Sequence, residues 1–165
     1  MNNFLVGCIT KWLHLSLDLV QSQLYDETTF YQKFREDLRH CKKEVIIESP
    51  YISTRRMYSL IQPFQGLVNR KVKVYVITRD PNDHDLNMKQ QAEEAIRSFE
   101  AMGVQVLINS DYSHRKLAIL DREILWEGSL NILSQTDSRE IMRRMESKTL
   151  AEQMFSFINL GKFIY

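Results

Sequence analysis

His114 and Lys116 stand two residues apart, and Ser129 and Asn131 repeat that spacing a little further along the chain. Leu117 to Leu120 and Ile124 to Trp126, which lie between the two pairs, are apolar and are expected to be strands. On a strand, residues two apart share a face. His114 and Lys116 therefore project together, with Arg115 opposite. A return through Asp121-Arg122 is expected to bring Ser129 and Asn131 back beside them as a second same-face pair. A histidine, with an ordinary pKa of about 6.5, serves as nucleophile or acid near neutral pH. A lysine is a fixed positive charge suited to a phosphate oxygen, and an amide and a hydroxyl add neutral donors. Together they make a phosphate cradle with a nucleophile at its centre. No carboxylate cluster with metal-ligand spacing accompanies it in the sequence. The chemistry expected is phosphoryl transfer with no metal and no other cofactor.

The elements that must position this group are legible upstream. Phe30, Phe34, Leu38 and Cys41 recur at helical spacing behind capping residues Asp26 to Thr29. Val45-Ile46-Ile47 is a β-branched strand halted by Pro50. A helix is expected from Thr54 with Ser53 as N-cap, broken or kinked at Pro63. Val72, Val74 and Val76 alternate with polar neighbours, giving a strand to Thr78, and Asp80 to Asp83 is a turn-rich loop. Ala92, Ala95, Ile96, Phe99 and Met102 mark one face of a helix that Gly103 terminates. Val104 to Ile108 and Ile141 to Met145 are further strands, and Leu150, Met154, Phe157 and Ile158 form a last helix. The fold class expected is α/β to α+β, a mixed sheet flanked by helices. Residues 1–24 fit neither period and are expected to be a short helical extension; 25–165 form the domain.

Length and composition bound the function. A chain of 165 residues is one domain as a prior. Hydrophobic residues at 44% and charged residues at 26% are those of a soluble globular protein. No apolar run reaches the roughly 18 residues of a membrane span, so no membrane association is expected. Leu5-Val6-Gly7-Cys8 lacks a basic segment before it, so no signal peptide is expected. Cys8 and Cys41 are neither a disulfide framework nor a zinc signature, and a reducing cytoplasm is the expected compartment.

A net charge of +1 excludes a strongly basic nucleic-acid module, yet residues 51–80 hold six basic side chains against one acidic. Arg55 and Arg56 follow the Pro50-Tyr51 loop at the C-terminal end of a strand, where α/β sites lie. They are candidates for a nucleic-acid backbone, and Tyr51 for stacking on a base. A solvated face and a packed loop aromatic are the alternatives. Asp83-His84-Asp85 suggests a metal less than it suggests a polar loop before a helix.

The full pattern His114-x-Lys116-x4-Asp121-x6-Gly128-Ser129-x-Asn131 resembles the signature of the phospholipase D superfamily in every slot. Glu44 to Ser53 resembles the family's first core strand and its Pro-aromatic loop, and the resemblance spans residues 25–162. It implies a phosphodiesterase in which two motif copies meet around one phosphodiester. One histidine forms a phosphohistidine and the other serves as acid and then as base. Lys116 and Asn131 would hold phosphate oxygens, Ser129 would assist, and Gly128 would let Ser129 approach. Asp121 either takes part or only caps a turn, and Glu140 either orients His114 or is a surface charge.

This chain has one copy, and small single-motif members are symmetric homodimers. The resemblance is to stand-alone nuclease-like members and to domains attached to DNA helicases. Nucleic acid, a second copy and a helicase are thus the expected partners. The leading expectation is a nuclease on DNA or RNA, single- or double-stranded, with endo or exo cleavage left open. A phospholipase or phosphatidyltransferase, and a non-cleaving nucleic-acid-binding module, are the alternatives.

Overall fold

Strand β2 (Glu44–Glu48) is apolar on both faces and lies inside the sheet, with Val45, Ile46 and Ile47 wholly buried. In the computed structural model, which describes residues 20–110, 113–134 and 137–160, seven strands form one mixed sheet. The others are β1 (Gln21–Asp26), β3 (Lys73–Arg79), β4 (Gln105–Asn109), β5 (Leu117–Leu120), β6 (Ile124–Gly128) and β7 (Ile141–Glu146). Their order is β1-β7-β6-β5-β2-β3-β4. β2, β3 and β4 run parallel, and the pairs from β2 outward to β1 are antiparallel. Parallel neighbours need crossovers, and helices α2 (Thr54–Asn69) and α3 (Leu86–Ala101) supply them.

With α1 (Phe30–His40), those helices cover one face. Phe30, Phe34, Leu60, Phe64 and Phe99 pack there on Val45, Val76, Ala118 and Trp126. The other face is covered by the shorter helix α4 (Lys148–Phe157), with Ile46, Tyr75, Leu117, Ile119 and Leu125 beneath it. The expected mixed sheet flanked by helices is therefore the fold. Among the described residues no helix is long and apolar enough to cross a membrane.

Two expectations change. Pro63 does not interrupt α2, which runs through it to Asn69. Met57 and Leu60 before the proline, and Phe64 and Leu67 after it, are all buried. That packed face carries the helix across one missing N–H bond. Gln21–Leu24, expected in a helical extension, are instead the first part of β1. This mostly exposed edge strand is specified by its antiparallel ladder to β7, from Gln21↔Glu146 to Asp26↔Ile141. The rest of the expected extension, residues 1–19, lies outside the described residues.

Candidate active site

β2 ends on Glu48, a carboxylate only 3% exposed. It accepts hydrogen bonds from Arg115 Nε at 3.0 Å on each oxygen, and from Ser113 Oγ. These partners flank His114, so the turn into β5 is pinned on both sides of the histidine. With Arg115 drawn to Glu48, His114 and Lys116 come together, as the alternation requires. Lys116 Nζ lies 2.6 Å from His114 Nδ1 and 2.7 Å from its carbonyl oxygen. An ammonium only donates, so Nδ1 accepts and the ring proton sits on the exposed histidine's Nε2. Burial, the Lys116 charge and Arg79 hold the His114 pKa below its usual value. Burial also lowers that of Lys116, opposed by the Glu140 carboxylate.

The end of β6 reaches the same place. Gly128 N–H donates to the Lys116 carbonyl at 3.2 Å. A Cβ at Gly128 would stand 2.1 Å from the carbonyl oxygen of Ile141. The close approach of β7 by itself requires the glycine. Ser129 continues that contact: its N–H donates to Ile141 O at 3.0 Å, and its Oγ accepts from Ile141 N–H at 3.2 Å. Among the described residues the buried Asn131 Oδ1 has no hydrogen-bond partner, His114 and Lys116 included. Its turn is held from outside, by Tyr31 OH on Ile132 O at 2.9 Å and by Ser53 N–H on Leu133 O at 2.9 Å. Glu140 accepts from Ser138 Oγ at 2.9 Å, and its N–H donates to Glu27 at 3.0 Å. It makes no hydrogen bond to His114; its charge acts on Lys116 instead.

Asp121 is not at the site. It lies at the far end of β5, where its carboxylate accepts from the backbone N–H groups of Lys42, Lys43 and Glu44 at 2.8, 2.8 and 3.0 Å. Asp121 and Arg122 both have positive φ, 53° and 59°. Those three hydrogen bonds offset the strain of that turn. The basic run 51–80 also divides. Arg70 donates to the carbonyls of Gly66 and Leu38, and Lys73 borders Asp121, all at the end opposite His114. Arg55 is exposed at the start of α2, and Arg56 lies 3.9 Å over the Tyr31 ring. Arg79, at the C-terminal end of β3, acts electrostatically on His114. Tyr51 meets His114 edge to face, with centroids 5.8 Å apart.

Glu48, Arg79 and His84 went unassigned in the sequence. The signal for Glu48 was available: a carboxylate closing an apolar strand must find a buried partner. Among the described residues, no three His, Cys, Asp or Glu side chains gather as a metal site.

Residues 34–159 match the family model described as cardiolipin synthase, PLD-like domain. Nuc from Salmonella typhimurium, a phospholipase D family member, shares the fold with a TM-score of 0.67 at 16% identity, over 84% of this chain and 91% of its own. NucT from Helicobacter pylori aligns with a TM-score of 0.67 at 14% identity, over 84% and 92%. Phosphatidylserine synthase from Haemophilus influenzae Rd KW20 aligns with a TM-score of 0.65 at 15% identity, over 85% of this chain and 38% of that one. No curated protein sequence matches the chain.

Proposed function

Because the chain belongs to the phospholipase D-like family, we propose that it is a metal-independent phosphodiesterase, working on nucleic acid at a site completed by a second copy of itself. The observation that carries this reading is the His114–Lys116 pair, an exposed imidazole held by a lysine beside the tip of β6. With substrate bound, a phosphate oxygen competes for the Lys116 ammonium. Release of Nδ1 lets the ring proton move there and bares Nε2 as nucleophile. Nε2 attacks phosphorus and the P–O bond to the leaving group breaks. The departing oxygen takes a proton from His114 of the second copy. Water then attacks the phosphohistidine, giving its proton to that second histidine, and the P–N bond breaks to release a phosphomonoester. Asn131 Oδ1, unsatisfied here, would be oriented by donors that the second copy or the substrate brings.

Two features support a second copy. One motif supplies one histidine where the chemistry uses two. A groove bordered by Lys116 also carries Leu24, Ile141 and Phe157, which are 53%, 56% and 71% exposed. Burying such side chains is the usual driving force for association. Nucleic acid is favoured by the arginines at this end of the sheet, Arg55, Arg79, Arg139 and Arg143. Lipid is the second reading, favoured by the same apolar groove beside Lys116.

The test is hydrolysis of labelled DNA and RNA oligonucleotides in EDTA, beside headgroup release from phospholipid vesicles. Oligonucleotide cleavage by the wild type, lost in His114→Ala, is expected. Vesicle hydrolysis alone would assign the lipid reading. Cleavage by His114→Ala at the wild-type rate would remove the histidine mechanism.

A further inference from the structure

Three rings from three separate segments meet beside the site. Tyr51 leaves the end of β2, and His84 caps the one-turn 3₁₀ helix Pro81–Asp83 that follows β3. The Tyr51 ring stands 5.0 Å from that of His84 at 39°, and 5.8 Å from that of His114 at 80°. His84 thus backs Tyr51, and Tyr51 presents itself edge to face to the histidine that reacts.

The hydrogen bonding of His84 says what the ring is for. Its Nε2 is buried and has no partner among the described residues. The contact that the ring does make is its packing on Tyr51. Burial and Arg79 lower its pKa, against the opposing pull of Asp83, Asp85 and Asp80, which favours the neutral ring. The segment is tied down locally: Asp80 accepts from Asn82 N–H at 2.8 Å, His84 N–H donates to Pro81 O at 3.2 Å, and Arg79 pairs with Asp83 at 3.8 Å. His114, by contrast, is exposed, and among the described residues its imidazole is hydrogen-bonded by the long and flexible Lys116. A substrate that draws Lys116 away removes that restraint. The contact with Tyr51 is then what keeps the ring aimed.

We propose that His84 is a positioning residue for His114, acting through Tyr51: it holds the tyrosine ring as a wall that fixes the orientation of the imidazole when Lys116 turns to the substrate. The proposal rests on His114 being the reacting group. A misaligned nucleophile loses rate without losing affinity, so the effect falls on kcat.

The test compares His84→Ala and His84→Phe in the full chain, by kcat and KM on an oligonucleotide and by the His114 imidazole NMR signals, assigned with His114→Gln. In His84→Ala, kcat is expected to fall about tenfold with KM nearly unchanged, and the His114 signals to shift. His84→Phe, which keeps the ring surface, restores both. Unmoved His114 signals in His84→Ala, or an unchanged kcat in an active enzyme, overturn the proposal. So does a phenylalanine as damaging as alanine, which would mean that Nε2 acts directly. If His84→Ala does not fold, His84→Leu, which fills the volume without a ring face, takes its place with the same expected loss. If the wild type cleaves nothing, the functional reading fails, while the His114 signals still decide the contact.

Discussion

Arg115 Nε lies 3.0 Å from both carboxylate oxygens of Glu48, and this pair sets where His114 stands. Glu48 closes a central strand and is buried, so its charge needs a partner at that depth. Arg115 supplies it from the turn that carries the histidine. Glu48→Gln should destabilise the fold by about 2 kcal/mol, the cost of a broken buried pair reduced for the part-exposed arginine. It should also lower kcat, because the turn loses its anchor. Chemical denaturation and steady-state kinetics on the same sample check both.

The pH profile should show the lowered histidine. Burial, Lys116 and Arg79 all favour the neutral ring, so His114 loses its proton below the usual value of about 6.5. A nucleophile must be neutral and a leaving-group acid must be charged, so a two-histidine site works best between its two ionisations. Below that window the nucleophile is protonated; above it the acid is lost. A bell in kcat/KM centred on the acid side of neutrality is expected. A maximum above about pH 8 would contradict it.

Asp121 should behave as a structural residue. Its carboxylate anchors three backbone N–H groups at the end of β5 away from His114. Asp121→Ala should cost about 3 kcal/mol, given the worth of hydrogen bonds to a charged group, while activity per folded molecule is kept. A melting curve and active-site titration separate the two. Loss of activity at full stability would return Asp121 to the site.

Gly128→Ala should be among the most damaging single substitutions. The new Cβ would meet Ile141 O and Met142 at 2.1 and 2.9 Å, all but the methionine sulfur being backbone. β6 and β7 would have to separate, costing about 3 kcal/mol or more. The readout is soluble yield and thermal midpoint against the wild type.

Much of this was legible in the sequence, and the gaps have physical causes. Alternation from Ser113 to Lys116 told which side chains meet even though these residues precede β5: Ser113 and Arg115 reach Glu48 while His114 and Lys116 reach each other. β1 was not legible: Gln-Ser-Gln-Leu-Tyr-Asp carries little apolar pattern, and its ladder to β7 is a contact over more than a hundred residues. Pro63 does not break α2, because packing of Met57, Leu60, Phe64 and Leu67 outweighs one lost hydrogen bond. The basic run 51–80 looked like one strip, but α2 and β3 carry its members between opposite ends of the sheet. His84 was read only as part of a polar loop, because its contact with Tyr51 depends on how the loop after β3 folds over the end of β2.

The central claim is a site built from two copies, with both histidines needed for each turnover. It is tested most directly by mixing wild type with an equal amount of His114→Ala under conditions that let subunits exchange, then assaying cleavage per wild-type chain. Random pairing leaves about half of the wild-type chains with a wild-type partner, so activity per wild-type chain should fall to about half. Activity unchanged after verified exchange would mean that each chain carries a complete site of its own.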